Sequence, residues 1–283
     1  MNESPNIEPG INVAEAMRSM PLDALETRIL IGHALQLTRI QLITQSERLL
    51  NNDEAALLMA LLRRRLQGEP IAYLIGEREF FGLTIQVTPD VLIPRPDTEL
   101  LVELALERLP RQGRALDMGT GSGAIAVAIT HARPDIAMMA TDISEGALKV
   151  AAHNAQRHGV QLTFLRSDWY AAFTDAARSS FDLIVSNPPY IVAGDVHLSQ
   201  GDLRFEPIDA LTDHADGLSA LHTIADGAAA YLKPDGWLLM EHGYDQSEAV
   251  RNLLVRYGFA EVQSWRDLAG IERVSGGKYE APS

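Results

Sequence analysis

The chain has 283 residues, of which 46% are hydrophobic and 22% are charged. These fractions are ordinary for a globular protein and exclude a disordered chain or a fibre, and the length suits about two domains. The 24 basic and 38 acidic residues give a net charge of −14, which argues against an extended nucleic-acid surface. The absence of cysteine excludes disulfides, thiolate catalysis, iron–sulfur clusters and cysteine-ligated zinc.

The sequence shows neither a membrane span nor a secretory signal. The apolar run at residues 55–62 falls well short of the roughly 18 residues that a membrane helix needs. Residues 1–10 have neither the basic start nor the apolar stretch of a secretory signal. We therefore expect a cytoplasmic protein that makes no contact with a membrane.

Residues 11–75 predict a small helical bundle. The leucines between positions 57 and 66 form an apolar stripe at helical spacing, with Asn52 as the expected N-cap and Gly68 at the end. This part of the chain has no group of residues typical of a catalytic site, so we expect it to recognise the substrate.

The charge of the chain is unevenly distributed. Residues 1–88 carry 11 acidic and 8 basic residues, a net charge of −3, whereas residues 89–283 carry 27 and 16, a net charge of −11. A neutral or acidic partner would therefore dock more readily on the first part. The arginine run at 63–65 either complements the helix dipole or contacts such a partner.

A hairpin and a proline-rich stretch separate this part from the rest. Residues 79–93 alternate like strands around Gly82, and Pro94 and Pro96 then stiffen the chain before a helix that begins near Asp97.

From Asp97 onward, short apolar strands alternate with helices. The expected strands lie at 115–118, 137–141, 162–166, 181–186, 237–240, 262–266 and 273–276. This alternation predicts an α/β fold with a mostly parallel sheet and right-handed crossovers. We therefore expect a helical recognition domain at 1–78, a hairpin linker at 79–95 and a catalytic domain at 96–283.

A glycine loop follows the first strand of this sheet. Its residues are Gly119, Thr120, Gly121, Ser122 and Gly123. The loop satisfies the dinucleotide-binding pattern, and Asp142 lies 21 residues after Gly121, where a ribose-binding acid is expected.

Two details argue against a dinucleotide at this loop. Gly123 adds a third alternating glycine, and Asp117 stands at the end of the strand, where a carboxylate would repel a pyrophosphate. Such a loop suits a ligand with an amino group and a sulfonium, such as S-adenosylmethionine. In the alternative interpretation, Asp117 is an ordinary strand-end acid and Asp142 an ordinary acid at a helix entry.

Asp168 and Trp169 follow the third strand of the sheet. The carboxylate can accept from the amino group of an adenine, and the indole can pack against the ring. Outside this position, such a pair would be ordinary loop and core.

The strongest motif is Ser-Asn-Pro-Pro-Tyr at 186–190, directly after the fourth strand. An amide nitrogen is a poor nucleophile because its lone pair is delocalised. The Asn187 side-chain oxygen and the Pro188 carbonyl can hold both hydrogens of an NH₂ group and stabilise the positive charge that develops on nitrogen. Pro189 stiffens the turn, and Tyr190 offers a flat face to a planar amide or base.

The chain resembles the release-factor glutamine methyltransferases, the HemK/PrmC family, over nearly its whole length. The resemblance rests on the helical N-terminal part, the glycine loop and five short motifs. These motifs are Ile-Pro-Arg-Pro-Asp-Thr-Glu at 93–99, Ser-Asp-Trp at 167–169, Asn-Pro-Pro-Tyr at 187–190, Arg-Phe-Glu-Pro at 204–207 and Glu-His-Gly at 241–243.

The resemblance implies a class I methyltransferase fold with a seven-stranded sheet. It also implies transfer of a methyl group from S-adenosylmethionine, leaving S-adenosylhomocysteine, to N5 of the glutamine in the Gly-Gly-Gln motif of peptide chain release factors. Cofactor contacts are implied at 119–123, Asp142, Trp169 and Asn187, and substrate contacts at Asn187, Pro188 and Tyr190.

Weaker candidates lie around this site. Arg95 either binds substrate or is a plain linker residue, while Arg204 and Glu206 are candidates to order the 191–215 loop. Glu241 and its neighbouring histidine are interpreted as structural. We expect no metal, no direct nucleic-acid contact and a monomer.

Four other functions stay open at this point. Two are methyl transfers: glutamine methylation of a ribosomal protein, and methylation of a nucleobase exocyclic amine, whose enzymes share the Asn-Pro-Pro-Tyr motif. The third is a translation-factor binder without activity. An NAD-dependent dehydrogenase, the fourth, is disfavoured by Asp117.

Overall fold

Two units make up the chain in this computed structural model, which describes residues 7–280. They divide between Gly76 and Glu77. The hairpin that we expected as a separate linker thus belongs to the second unit.

The described residues of the first unit, 7–76, form five helices. They are α1 Val13–Ser19, α2 Ala24–Leu35, α3 Arg39–Thr44, α4 Asn52–Leu66 and α5 Ile71–Ile75. Its core is apolar, with Leu30 and Ile31 of α2 packed in one cluster with Leu58 and Leu62 of α4.

The N-cap of α4 is Asn51, so the prediction that Asn52 is the N-cap is wrong by one position. Asn51 Oδ1 accepts from the Glu54 N–H at 2.9 Å, and Glu54 accepts from the Asn51 N–H at 3.0 Å. This reciprocal capping box requires an acid three residues after the cap, which Asn51 has and Asn52 lacks. At the other end of α4, Arg65 pairs with Glu26 of α2 at 2.6 Å.

The second unit starts with the antiparallel hairpin and continues as a layered α/β structure. Its strands are β1 Glu77–Phe80, β2 Leu83–Gln86, β3 Arg114–Met118, β4 Ala137–Asp142, β5 Leu162–Arg166, β6 Phe181–Ser186, β7 Leu232–Glu241, β8 Phe259–Arg266 and β9 Glu272–Tyr279. Its helices are α6 Glu99–Arg108, α7 Ala124–Ala132, α8 Glu145–Arg157, α9 Ile208–Leu211, α10 Ser219–Tyr231 and α11 Ser247–Arg256.

Seven of these strands form one sheet in the order β5-β4-β3-β6-β7-β9-β8. The pairs among β3 to β7 are parallel, and β9 runs antiparallel to both β7 and β8. This confirms the predicted fold class. The chain leaves β3 toward β4 and β5 and returns to its other side with β6, so ligands are expected outside the carboxyl ends of β3 and β6.

Strand β7 is longer than predicted and starts at Leu232. Lys233 to Gly236 interrupt the apolar pattern, and Asp235 has a left-handed backbone with φ of 67°. A register shift against β6 accommodates this polar stretch. Within residues 7–280, no helix is long and apolar enough to cross a membrane.

Candidate active site

The glycine loop turns sharply between β3 and α7. Gly119, Gly121 and Gly123 all have left-handed φ angles, of 69°, 55° and 80°. A Cβ at Gly123 would lie 2.9 Å from Cβ of Ala151 on α8, so both backbone conformation and close packing require glycine there. A Cβ at Gly121 would meet nothing within 4 Å, which leaves this part of the loop open to a ligand.

Asp117, at the end of β3, lies behind this loop and is fully buried. Its Oδ2 accepts from the Thr120 hydroxyl at 2.6 Å, whereas Oδ1 has no partner of ordinary hydrogen-bond geometry within residues 7–280. Burial raises the pKa of Asp117 to about 7, against the lowering effects of Thr120 and of the Ala126 N–H in the first turn of α7. This carboxyl therefore supports the loop from inside.

Asp142 ends the neighbouring strand β4 and bridges two backbone segments. One of its oxygens accepts from the Gly121 N–H at 2.9 Å and the other from the Ser144 N–H at 2.8 Å. Burial raises its pKa above the ordinary value, opposed by these N–H donors. The carboxylate thus fixes the glycine loop and keeps lone pairs free for hydroxyl groups of a ligand.

Asp168 and Trp169 follow β5. The Asp168 side chain is exposed, and Trp169 is half-buried with an unusual φ of 43° for a non-glycine residue. The Ser167 hydroxyl donates to the Trp169 carbonyl at 2.6 Å and so stabilises this strained turn.

The Asn-Pro-Pro-Tyr turn after β6 is anchored at both ends. The Ser186 hydroxyl donates to the Met118 carbonyl of β3 at 2.7 Å, and the Tyr190 hydroxyl donates to Glu241 Oε1 at 3.4 Å. Burial, followed by the charge of Glu241, raises the pKa of Tyr190, so it stays a neutral phenol.

The nitrogen and the oxygen of the Asn187 side-chain amide have different surroundings. Its Nδ2 donates to the Thr98 hydroxyl at 3.2 Å, while no residue in the described part of the chain donates to its Oδ1. An unpaired amide oxygen is the acceptor that an incoming NH₂ group needs.

A cavity of about 460 Å³ joins these elements. The predicted residues that line it are Arg95, Gly119, Thr120, Gly121, Ser122, Asp142, Asp168, Trp169, Asn187 and Pro189. Asp117, Gly123, Pro188 and Tyr190 are absent from the lining. The structure therefore gathers most of the predicted contacts at one place. Of the other four, Asp117 is bonded to the lining Thr120, and Gly123, Pro188 and Tyr190 adjoin lining residues in the sequence.

The cavity is acidic, since five aspartates line it: Asp90, Asp142, Asp168, Asp209 and Asp213. Its two basic residues are engaged, Arg95 with the buried Glu206 and His214 with Asp209 at 2.7 Å. Such a lining disfavours a pyrophosphate and fits the sulfonium and amino group of S-adenosylmethionine, while the N-terminus of α7 suits a carboxylate.

Thr98 is a further site residue that the sequence patterns did not indicate. It is buried, lines the cavity and holds Asn187. Its place in the 93–99 motif was the available signal, but the contact joins positions 89 apart, which no local pattern reveals. Among the described residues, no group of histidine and acidic side chains is arranged to hold a metal ion.

Comparisons with known proteins agree with this geometry. The methyltransferase small domain family matches residues 96–202, and the PrmC N-terminal domain family matches residues 14–76. The release factor glutamine methyltransferase of Burkholderia pseudomallei is 55% identical, over 94% of this chain and 95% of its own length. The enzyme of the same name from Neisseria gonorrhoeae is 49% identical, over 91% and 94%.

Solved structures support the fold. A methyltransferase from Pyrococcus furiosus matches with a TM-score of 0.54 and 19% identity, covering 77% of this chain and 98% of its own. The 16S rRNA N2 G1207 methyltransferase of T. thermophilus, solved with AdoMet and guanosine, matches with a TM-score of 0.53 and 24% identity, covering 72% of this chain and 50% of its own.

Proposed function

Because the chain belongs to the release factor glutamine methyltransferase family, we propose that it methylates the side-chain amide nitrogen of the glutamine in the Gly-Gly-Gln motif of peptide chain release factors. The methyl donor is S-adenosylmethionine, in keeping with the methyltransferase family that matches residues 96–202. The observation that carries the proposal is Oδ1 of Asn187 on the wall of the acidic cavity, to which none of the described residues donates a hydrogen bond.

The residues that would hold the cofactor are those of the glycine loop with Asp142, Asp168 and Trp169. Asp142 would accept from hydroxyl groups, Asp168 from the adenine amino group, and Trp169 would pack against the ring. When bound, S-adenosylmethionine supplies a methyl group on a positively charged sulfur, open to direct attack by a neutral nucleophile.

Asn187 and Pro188 activate the acceptor. The Asn187 oxygen and the Pro188 carbonyl would accept the two hydrogens of the glutamine NH₂ group and turn its lone pair away from the carbonyl. As the nitrogen gains positive charge, both acceptors bind it more strongly, which is the differential stabilisation that speeds a reaction. No strong base is required, because the nitrogen becomes acidic once it is alkylated.

The loop after the motif closes one side of the site. Glu206 in this loop is buried, accepts from the Ile93 N–H at 3.0 Å and pairs with Arg95. These two contacts hold residues 93–95, which precede α6, to the loop that contains Glu206. Asp209 and Asp213, which follow Glu206 in the chain, line the cavity. Excluding water there strengthens the hydrogen bonds that orient the amide.

The remaining proposals concern the partner. The helical unit, which carries the smaller net negative charge, would contact the body of the release factor while the Gly-Gly-Gln loop enters the cavity. The glycines of that loop would permit a narrow entry. We propose that the enzyme acts as a monomer in the cytoplasm, without direct contact to nucleic acid.

The proposal is tested by transfer of labelled methyl from S-adenosylmethionine to purified unmethylated release factor. A parallel sample carries a substitution of the Gly-Gly-Gln glutamine, and further samples contain ribosomal proteins, DNA or RNA. We expect label only in the unsubstituted release factor. Label in the substituted factor, or only in ribosomal protein or nucleic acid, would contradict the proposal.

A further inference from the structure

A nearly buried glutamine precedes α11, and the proposed methyl transfer does not use it. Gln246 is 9% exposed, and its side-chain amide ends among backbone groups of three different segments. Nε2 donates to the Tyr190 carbonyl at 3.0 Å and to the Gly217 carbonyl at 3.1 Å. Oε1 accepts from the Gly243 N–H at 2.8 Å. The two amide hydrogens thus have acceptors in two separate segments of the chain.

The polarity of these three partners fixes the orientation of the Gln246 amide. A backbone N–H can only donate, and a backbone carbonyl can only accept. Turning the amide over would place Oε1 against two carbonyl oxygens and Nε2 against the Gly243 N–H. The orientation is therefore set by the backbone and does not depend on the protonation of any side chain.

The first of the two carbonyls belongs to the Asn-Pro-Pro-Tyr turn. Tyr190 ends this turn, and Asn187 and Pro189 of the same turn line the cavity. The rings of Pro188 and Pro189 fix their φ angles, so the turn has few ways to bend internally. A hydrogen bond that holds the Tyr190 carbonyl therefore also holds the acceptor groups of Asn187 and Pro188.

The second carbonyl belongs to the loop at 213–219, which contributes Asp213 to the lining of the cavity. Asp213 organises this loop, because its oxygens accept from three N–H groups within it, including that of Gly217 at 3.0 Å. The loop and the turn approach closely, since a Cβ at Gly217 would lie 2.4 Å from the Tyr190 carbonyl oxygen. Gln246 thus joins two parts of the chain that both line the cavity.

We propose that Gln246 is a positioning residue that sets the distance between the Asn-Pro-Pro-Tyr turn and the 213–219 loop, and so places the acceptors for the substrate amide. Two carbonyl oxygens brought close together repel each other, and the shared Nε2 donor offsets this repulsion while it satisfies both acceptors. Gln246 is not among the residues that line the cavity and acts through the turn. The inference rests on the proposed function, because it concerns how the same site holds the glutamine amide.

The kinetic test uses Gln246→Glu, which keeps the shape of the side chain and the acceptor for the Gly243 N–H. An ionised carboxylate cannot donate and repels both carbonyls, so the turn and the loop should move apart. A displacement of about 1 Å can cost about 10²-fold, and we expect a loss of that size in kcat at about pH 8. Burial raises the pKa of the introduced carboxyl, and its protonated form can donate to one carbonyl. The ratio of variant to wild-type kcat should therefore rise about tenfold between about pH 8 and about pH 6.

Two further variants separate positioning from packing. Gln246→Met keeps the length of the side chain but donates no hydrogen bond, so it should lose about as much kcat, in the same ratio at both pH values. Gln263→Glu makes the same change of charge at an exposed position of β8 and should match the wild type throughout. A wild-type kcat in Gln246→Met, or a Gln246→Glu ratio that is the same at both pH values, would overturn the inference.

Hydrogen exchange measured by mass spectrometry tests the same contacts without substrate. In Gln246→Met, we expect the backbone amides at 186–192 and 213–219 to exchange faster than in the wild type, while those of β3 exchange at the wild-type rate. Unchanged exchange in either segment, or equally faster exchange in β3, would overturn the inference. A wild-type enzyme that methylates no release factor would instead refute the proposed function, and the exchange rates would still decide whether Gln246 holds the turn to the loop.

Discussion

Asn187→Ala removes the acceptor on which the proposed chemistry depends. In the structure, Asn187 Oδ1 has no partner in the described part of the chain, so its capacity is available to the substrate. Loss of a group that stabilises charge developing in a transition state costs about 10² to 10³ in kcat, or roughly 3–4 kcal/mol. We expect a loss of that size.

The same substitution should have a much smaller effect on folding. Asn187 is half-buried, and with the residues that the structure describes its side chain makes one hydrogen bond, to Thr98 at 3.2 Å. A neutral hydrogen bond contributes about 1 kcal/mol to stability, so the variant should remain folded and bind S-adenosylmethionine at most about tenfold more weakly.

The assay is single-turnover methyl transfer to release factor, with cofactor affinity measured separately by calorimetry. Asn252→Ala, an exposed asparagine on α11, controls for the loss of an amide elsewhere. If Asn187→Ala transferred methyl at the wild-type rate, or if its defect lay entirely in cofactor affinity, activation of the substrate amide by Asn187 would be refuted.

Three further predictions concern the structure that supports the site. Gly123→Ala should lower the unfolding free energy by about 1–3 kcal/mol more than Gly121→Ala. Both glycines have left-handed backbones, but only a Cβ at Gly123 would clash with α8. Equal losses for the two variants in a denaturant titration would refute this prediction. Asp117 and Glu241 have folded pKa values of about 7, above their unfolded values of about 4, so the folded state binds more protons in this window. Their contribution to stability should therefore be lost as the pH rises from about 4 to about 7. In unfolding titrations at a series of pH values, the unfolding free energy of Asp117→Asn should change less with pH than that of the wild type. An unchanged pH dependence would contradict the raised pKa of Asp117. Arg95→Ala leaves the buried Glu206 with one hydrogen-bond donor that the structure describes, the Ile93 N–H. The variant should lose about 1–3 kcal/mol of unfolding free energy, and proteases should cleave the 191–215 loop faster. An unchanged rate of loop cleavage would show that the Arg95–Glu206 ion pair does not order this loop.

Sequence patterns predicted the parts of this molecule that are set locally. The alternation of apolar strands and helices indicated the mostly parallel sheet, and the glycine loop and the turn at 187–190 converge on one cavity because parallel strands end at the same edge. The N-cap of α4 was misplaced because two asparagines adjoin, and only the acid at Glu54 distinguishes them.

Tertiary contacts account for what the sequence did not reveal. Asp117 was expected to face the ligand, but its side chain is turned inside and bonded to Thr120. Thr98 and Asn187 lie 89 positions apart in the sequence, and their side chains meet only where the segment before α6 passes the turn after β6. No pattern of neighbouring residues encodes this contact.

The most direct measurement is fragmentation mass spectrometry of release factor after incubation with the enzyme and S-adenosylmethionine. We predict one added methyl group on the peptide with the Gly-Gly-Gln motif, carried by the side-chain nitrogen of its glutamine, and none after incubation with Asn187→Ala. A methyl group on another residue, or on the same glutamine with the variant at the wild-type rate, would contradict the proposed reaction.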